Sequence, residues 1–180
     1  QHANDTEAFN ATLHPFIRNA VAAMDFGPVL LNKRHNRENN GGTIRKTTET
    51  FQLATAILFQ TPVQNFGLTP NNLQEMPTHV IDFMKQVPTT WDETIFIDGY
   101  PGKYVILARR KSDTWYIAGI NAEGKEKTVS VNLPMLSTDA VQFIDDNIAR
   151  ESKQKQIRLS KTKTIKLTLQ PDGAIVLIGK

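Results

Sequence analysis

The stretch Val87–Ala122, VPTTWDETIFIDGYPGKYVILARRKSDTWYIAGINA, decides how this chain is read. β-Branched and aromatic residues cluster in Ile95–Ile97, Tyr104–Ala108 and Trp115–Ile120, with Asp98-Gly99, Pro101-Gly102 and Ser112-Asp113 as the turn signals around them. This spacing predicts consecutive antiparallel strands. The rhythm repeats toward the C-terminus. Val129, Val131 and Leu133 alternate with polar neighbours, and Val141–Ile144 reads as a further strand. Ile165, Leu167 and Leu169 then lead through Pro171-Asp172-Gly173 into AIVLIG as a hairpin. About seven short strands, with a turn every 8 to 12 residues, predict a β-sandwich or a small barrel.

Toward the N-terminus the character changes. Pro77 opens a helical pattern with Val80, Phe83, Met84 and Val87 on one face, and Pro88 stops it. A short helical turn is expected after Thr69-Pro70. Thr47 or Thr48 can cap another helix, with Glu49 in its first turn, an apolar stripe of Phe51, Ala54, Ile57 and Leu58, and Thr61-Pro62 as its end. NKRHNRENNGGT, residues 32–43, reads as an exposed, mobile loop. Before it, HPFIRNAVAAMDFGPVLL is an apolar run interrupted by His14, Arg18, Asn19 and Asp25. That run is either a buried turn or strand whose polar groups satisfy nearby backbone, or a pocket wall. Residues 1–13 show no sustained period, and their two sequons, at Asn4 and Asn10, are not read as glycosylation sites. The chain therefore divides near Pro88–Trp91 into a helical, loop-rich half and an all-β half. The two amphipathic helices lack enough partners to bury both stripes, which points to a first half that is incomplete by itself.

Composition sets wide bounds. The 180 residues, 39% of them hydrophobic, are enough for one large domain or two small ones, and a net charge of +3 is weak support for a nucleic-acid partner. With no cysteine there are no disulfides and no thiolate chemistry. No apolar run reaches the roughly 20 residues that span a bilayer. The N-terminus, QHANDTEAFN, lacks the basic and apolar regions of a signal peptide.

Candidate chemistry is sparse. His2, His14, His35 and His79 lack the i, i+4 spacing of a helical metal site. Asp92-Glu93 and Asp145-Asp146 are adjacent, so on a strand the members of each pair point to opposite faces, and solvation is their expected role. Asn39-Asn40-Gly41-Gly42 fits no phosphate-binding pattern. Lys153, Lys155, Arg158, Lys161, Lys163 and Lys166 lack interleaved aromatics, which favours a protected sheet edge over a nucleic-acid surface. Trp91, Tyr100, Trp115 and Tyr116 would form a sugar-stacking platform if they shared a face, although core packing is the commoner role.

Three stretches carry a resemblance. PFIRNAVAAMDFGPV resembles a late-barrel signature of glycoside hydrolase family 97, TTETFQLATAILFQTPVQNF resembles its last barrel helix, and Phe83–Ala122 resembles its junction between barrel and C-terminal domain. The resemblance implies an α+β chain in which the terminal helices of a (β/α)8 barrel, residues 1–87, precede an antiparallel β-sandwich C-terminal domain, residues 88–180. It implies a parent α-glucosidase or α-galactosidase, periplasmic or secreted, that takes oligosaccharides and uses calcium; this chain alone is not expected to bind calcium. The family's catalytic carboxylates are expected upstream of Gln1, so no catalytic residue is assigned here. Arg18 and Asp25 match the signature and are candidates for supporting or lining the substrate pocket. His14, Ile17 and Asn65 depart from the pattern, which leaves glucoside against galactoside open. The rival reading is a carbohydrate-binding or protein-interaction β-sandwich without a hydrolase role.

Overall fold

A computed structural model describes residues 2–27 and 31–180, with side chains described from Asn4 onward; Pro28, Val29 and Leu30 of the apolar run lie outside the described residues, as does the His2 side chain. The β half contains β1 Glu93–Tyr100, β2 Tyr104–Lys111, β3 Thr114–Asn121, β4 Lys127–Asn132, β5 Ala140–Asp146, β6 Ser152–Arg158, β7 Thr164–Leu169 and β8 Ala174–Gly179. Six of these form one sheet in the order β1-β2-β3-β8-β5-β6, and β4 pairs with β7 in a second. Every strand pairing is antiparallel.

The period of two gives the large sheet two apolar faces. On one face Ile106, Ile117, Phe143, Ile175 and Leu177 meet Val129, Val131, Leu167 and Leu169 of the small sheet. On the other, Val105, Leu107, Ala118, Ile120, Ile144 and Val176 meet the helical half. That half contains α1 His2–Leu13, α2 Glu49–Leu58, α3 Asn72–Glu75 and α4 Thr78–Gln86.

Helix α2 begins where expected: the Thr48 hydroxyl accepts from the Phe51 amide at 3.0 Å. It is buried on all sides, not only along its stripe. The large sheet takes one face, while α1, α4 and the loops take the others, so its apolar residues have partners within this chain. Burying Phe51, Leu53, Ile57 and Leu58 contributes about 1.5–3 kcal/mol each relative to exposure.

Three local expectations change. Residues 2–13 form α1, because its buried positions, Asn4, Ala8, Ala11 and Thr12, keep helical spacing but are too small or polar to register as an apolar stripe. Asn4 is only 6% exposed and its side chain bonds to the Ile44 carbonyl, so that sequon offers no accessible amide. Asp98-Gly99 lies inside β1, just after a bulge between Phe96 and Asp98, and a Cβ on Gly99 would stand 2.8 Å from the Tyr104 carbonyl; the turn itself is at Pro101-Gly102. An eighth strand, β6, was hidden in the acidic-then-basic stretch because an edge strand needs little apolar alternation; its lysines do lie on the sheet edge.

The loop after Leu31 is anchored at its base. Asn32, fully buried, donates to the Asn36 and Arg37 carbonyls and accepts from the Asn71 and Asn72 amides at 2.9 and 2.6 Å. Arg45 bonds to the Asn32, Leu31 and Thr47 carbonyls and to Glu49 at 3.1 Å. Asn32→Ala is expected to destabilise the chain by about 2 kcal/mol by orphaning buried amides. Limited proteolysis should then cut within residues 33–44 faster than in the parent chain; unchanged cutting would mean that Asn32 does not hold the loop.

One backbone feature bears on the first half. Phe26 bridges Gln64 in parallel, and the Met24 amide bonds to the Gln60 carbonyl, with α2 lying between the two segments. A parallel crossover over a helix is the elementary β-α-β arrangement.

Candidate functional site

The best-determined polar arrangement in the chain grips α2 at both ends. At its N-terminus, Asp146, on the helix-facing side of β5, accepts from the Thr48 hydroxyl at 2.7 Å and from the Ala174 amide at 2.8 Å through one oxygen, Oδ2. Its Oδ1 has no hydrogen-bond partner among the described residues. Burial raises its pKa to about 6 against the hydrogen bonds that favour the carboxylate. Beside it the Thr50 hydroxyl meets Ser152 at 3.0 Å, and Ser152 meets His79 Nε2 at 2.9 Å. Burial and then Lys153 lower the His79 pKa.

At the C-terminus of α2, Arg109 Nη2 donates to the Leu58 carbonyl at 3.1 Å. Arg109 is 3% exposed, its Nε is unpartnered, and desolvation lowers its pKa to about 10. An anion near the helix start and a cation at its end both complement the helix dipole. Arg150 adds a third tie, donating to the Pro171 and Lys46 carbonyls across the two halves.

Asp146 therefore has a structural role, not the solvated one expected for its pair. The other adjacent carboxylates do sit in water-facing ion pairs: Glu93 and Asp92 with Arg110, and Asp145 with Lys155. Arg109 was not singled out in the sequence, although alternation with Val105 and Leu107 places it on the buried face.

Arg18 and Asp25 are both exposed. They flank a turn whose organiser is Asn19, which bonds to the Ala22 and Gln60 carbonyls and accepts from the Gln60 amide at 3.0 Å. Pro15, Phe16 and Asn19 also line an open cleft of about 620 Å³ with Gln60, Phe96 and Arg109. Of the two readings of residues 14–31, the described part is a turn forming one side of a cleft.

The aromatic residues share no platform. Trp91 packs edge-on against Tyr116 at 5.3 Å on the helical side, whereas Trp115 lies buried on the opposite face and Tyr100 is exposed beneath Lys103. His14 packs edge-on to Phe59, and His35 is exposed. Among the described residues no group of three or more His, Asp or Glu could hold a metal ion. Among the same residues no helix is long and apolar enough to cross a membrane.

Comparison with known proteins extends these observations. Residues 90–178 match the family model described as glycosyl-hydrolase 97 C-terminal, oligomerisation. A retaining α-galactosidase of Bacteroides thetaiotaomicron is 30% identical over 175 residues, 91% of this chain and 26% of that protein. The crystal structure of a β-arabinopyranosidase superposes with a TM-score of 0.95 at 52% identity, covering 99% of this chain and 28% of that one. A Pseudoalteromonas enzyme of glycoside hydrolase family 97, solved with panose, has the same fold, with a TM-score of 0.81 at 20% identity over 96% of this chain and 28% of that one. The chain thus spans about a quarter of the length of the relatives it matches.

Proposed function

Residues 90–178 carry the C-terminal domain of glycosyl hydrolase family 97, and from that premise we propose that this chain is the bracing portion of a longer glycosidase that removes terminal sugars of galacto configuration. The observation that carries the reading is the match to the β-arabinopyranosidase at 52% identity over 99% of the chain. The retaining α-galactosidase points the same way, because a β-L-arabinopyranoside has the ring configuration of an α-D-galactoside without its hydroxymethyl group. This favours a galactoside over a glucoside. By the same comparison the parent reaction retains configuration, with one carboxyl group as acid and base and another as nucleophile.

In this reading residues 1–87 are the last part of a (β/α)8 barrel and residues 88–180 its C-terminal domain. The parallel bridge between Phe26 and Gln64 across α2 supports that division. The catalytic carboxylates and any calcium cage belong to the remainder of the polypeptide, which also supplies the oligosaccharide pocket. Arg18 and Asp25, exposed in this chain, support or line the wall that meets that remainder. The β half acts by holding α2, gripped by Asp146 and Arg109. The enzyme works in the periplasm or outside the cell.

The purified 180-residue chain is expected to show no turnover of p-nitrophenyl α-D-galactoside or β-L-arabinopyranoside, while the longer polypeptide hydrolyses one or both. Hydrolysis by the chain alone would overturn the bracing assignment. Preference of the longer polypeptide for the α-glucoside would overturn the galacto assignment.

A further inference from the structure

Between α4 and the outer strands of the large sheet lies a cavity of about 250 Å³, which shares only His79 with the polar groups at the start of α2. The sheet contributes Tyr116, Gln142, Gln154 and Ile178, and α4 contributes His79, Asp82, Phe83 and Gln86. Its position follows from sequence. Tyr116, Ile178 and Gln142 stand side by side in register on β3, β8 and β5, and Gln154 follows on edge strand β6. Alternation turns all of them to the helical face, beyond the apolar patch that α2 covers.

Gln86, Gln154 and Asp82 stand exposed at its rim, and Gln142 and Tyr116 are half-buried within it. The side-chain amides of Gln86, Gln142 and Gln154 and the Tyr116 hydroxyl make no hydrogen bond to another described residue. The Tyr116 ring is held from behind by Trp91 at 5.3 Å, which presets one wall. Three primary amides both donate and accept, and the Asp82 carboxylate accepts only. That set matches a ligand rich in hydroxyl groups, each of which donates and accepts in turn. Asp82 lies 3.7 Å from Lys85 Nζ, so the pair adds no net charge to draw an anion, and a single carboxylate is too little for a metal ion. The volume falls below the roughly 300–1,000 Å³ typical of pockets for larger ligands, which suits one sugar ring and not an oligosaccharide chain.

We propose that this cavity is a binding site for a single neutral pyranose unit, held by the amides of Gln86, Gln142 and Gln154 and by Asp82 against the face of Tyr116. The site is separate from the open cleft beside Phe96 and Arg109, whose apolar wall suits protein and not sugar. It does not depend on the glycosidase reading, since none of its residues is given a part in hydrolysis.

The test is titration of the 180-residue chain with D-galactose, L-arabinose and D-glucose 6-phosphate, followed by amide NMR and tryptophan fluorescence. The expected result is saturable, weak binding of at least one neutral sugar, with shifts focused on the side-chain amides of Gln86, Gln142 and Gln154, and weaker binding of the phosphate. The paired substitution Gln142→Ala with Gln154→Ala should weaken binding about tenfold, equal to about 1.4 kcal/mol. Because these positions face a cavity, the variant should keep the dispersed spectrum of the folded chain. In the longer polypeptide the same pair should leave hydrolysis of an aryl glycoside unchanged. Absence of saturable shifts, binding that the pair does not weaken, or preference for the phosphate would each overturn the proposal. Loss of hydrolysis in the paired variant would make these residues part of the hydrolytic machinery and overturn it too.

Discussion

Asp146→Ala should destabilise the chain by about 3 kcal/mol near pH 4, because it strips the Thr48 hydroxyl and the buried Ala174 amide of their shared acceptor and each orphaned buried donor costs about 1–3 kcal/mol. Asp146→Asn keeps an acceptor and removes the charge, so it isolates a different quantity. The folded carboxyl titrates at about 6, above its ordinary value of 3.8, because burial disfavours the ion. Its stabilising contribution is therefore fully present below about pH 4 and is lost as the pH rises through about 6. The gap between those values corresponds to about 3 kcal/mol. Urea midpoints measured from pH 4 to pH 8 should show the parent chain losing stability relative to Asp146→Asn across this window. Parallel curves for the two proteins would mean that the carboxylate is better solvated than its burial implies.

Arg109→Met is expected to have the opposite sign and to stabilise this chain by about 2 kcal/mol. The guanidinium is 3% exposed and faces no carboxylate among the described residues, and desolvation has lowered its pKa to about 10. That shift represents about 3 kcal/mol against the charged form. The bond to the Leu58 carbonyl returns only about 1 kcal/mol, and methionine keeps much of the apolar stem. Arg45 makes a useful contrast. It is as deeply buried but bonds to three carbonyls and to Glu49, so Arg45→Met should be strongly destabilising. If thermal unfolding shows Arg109→Met to be clearly less stable than the parent chain, the single bond at the end of α2 outweighs the desolvation.

Much of the β half was legible because its strands obey a local rule. Val105, Leu107 and Arg109 alternate with Ile106 and Ala108, and the turn at Pro171-Asp172-Gly173 is written in residues that favour it, with Asp172 at φ 49°. The cap at Thr48 was equally local. What failed depended on distant partners. α1 hides its buried face in Asn4, Ala8, Ala11 and Thr12, and Asn4 bonds to the distant Ile44 and Lys46 backbone. Asp146 looks like half of a solvated acidic pair until β5 faces the start of α2. The loop after Leu31 is polar throughout, and only the convergence of Asn71 and Asn72 on Asn32 shows that its base is fixed. Arg18 and Asp25 were singled out by resemblance alone, and neither side chain bonds to another described residue.

The sharing of one apolar core between α2 and the large sheet has a consequence for inheritance. A genetic exchange at codon 88 would hand the recipient a sheet with Val105, Leu107, Ala118 and Val176 laid bare, and would leave the donor a helix stripped of its main wall. Crossovers at the visible junction should be purged by selection. Grafts that succeed should carry the helix and the sheet together, so that the unit passed between genes is longer than the unit seen as a domain.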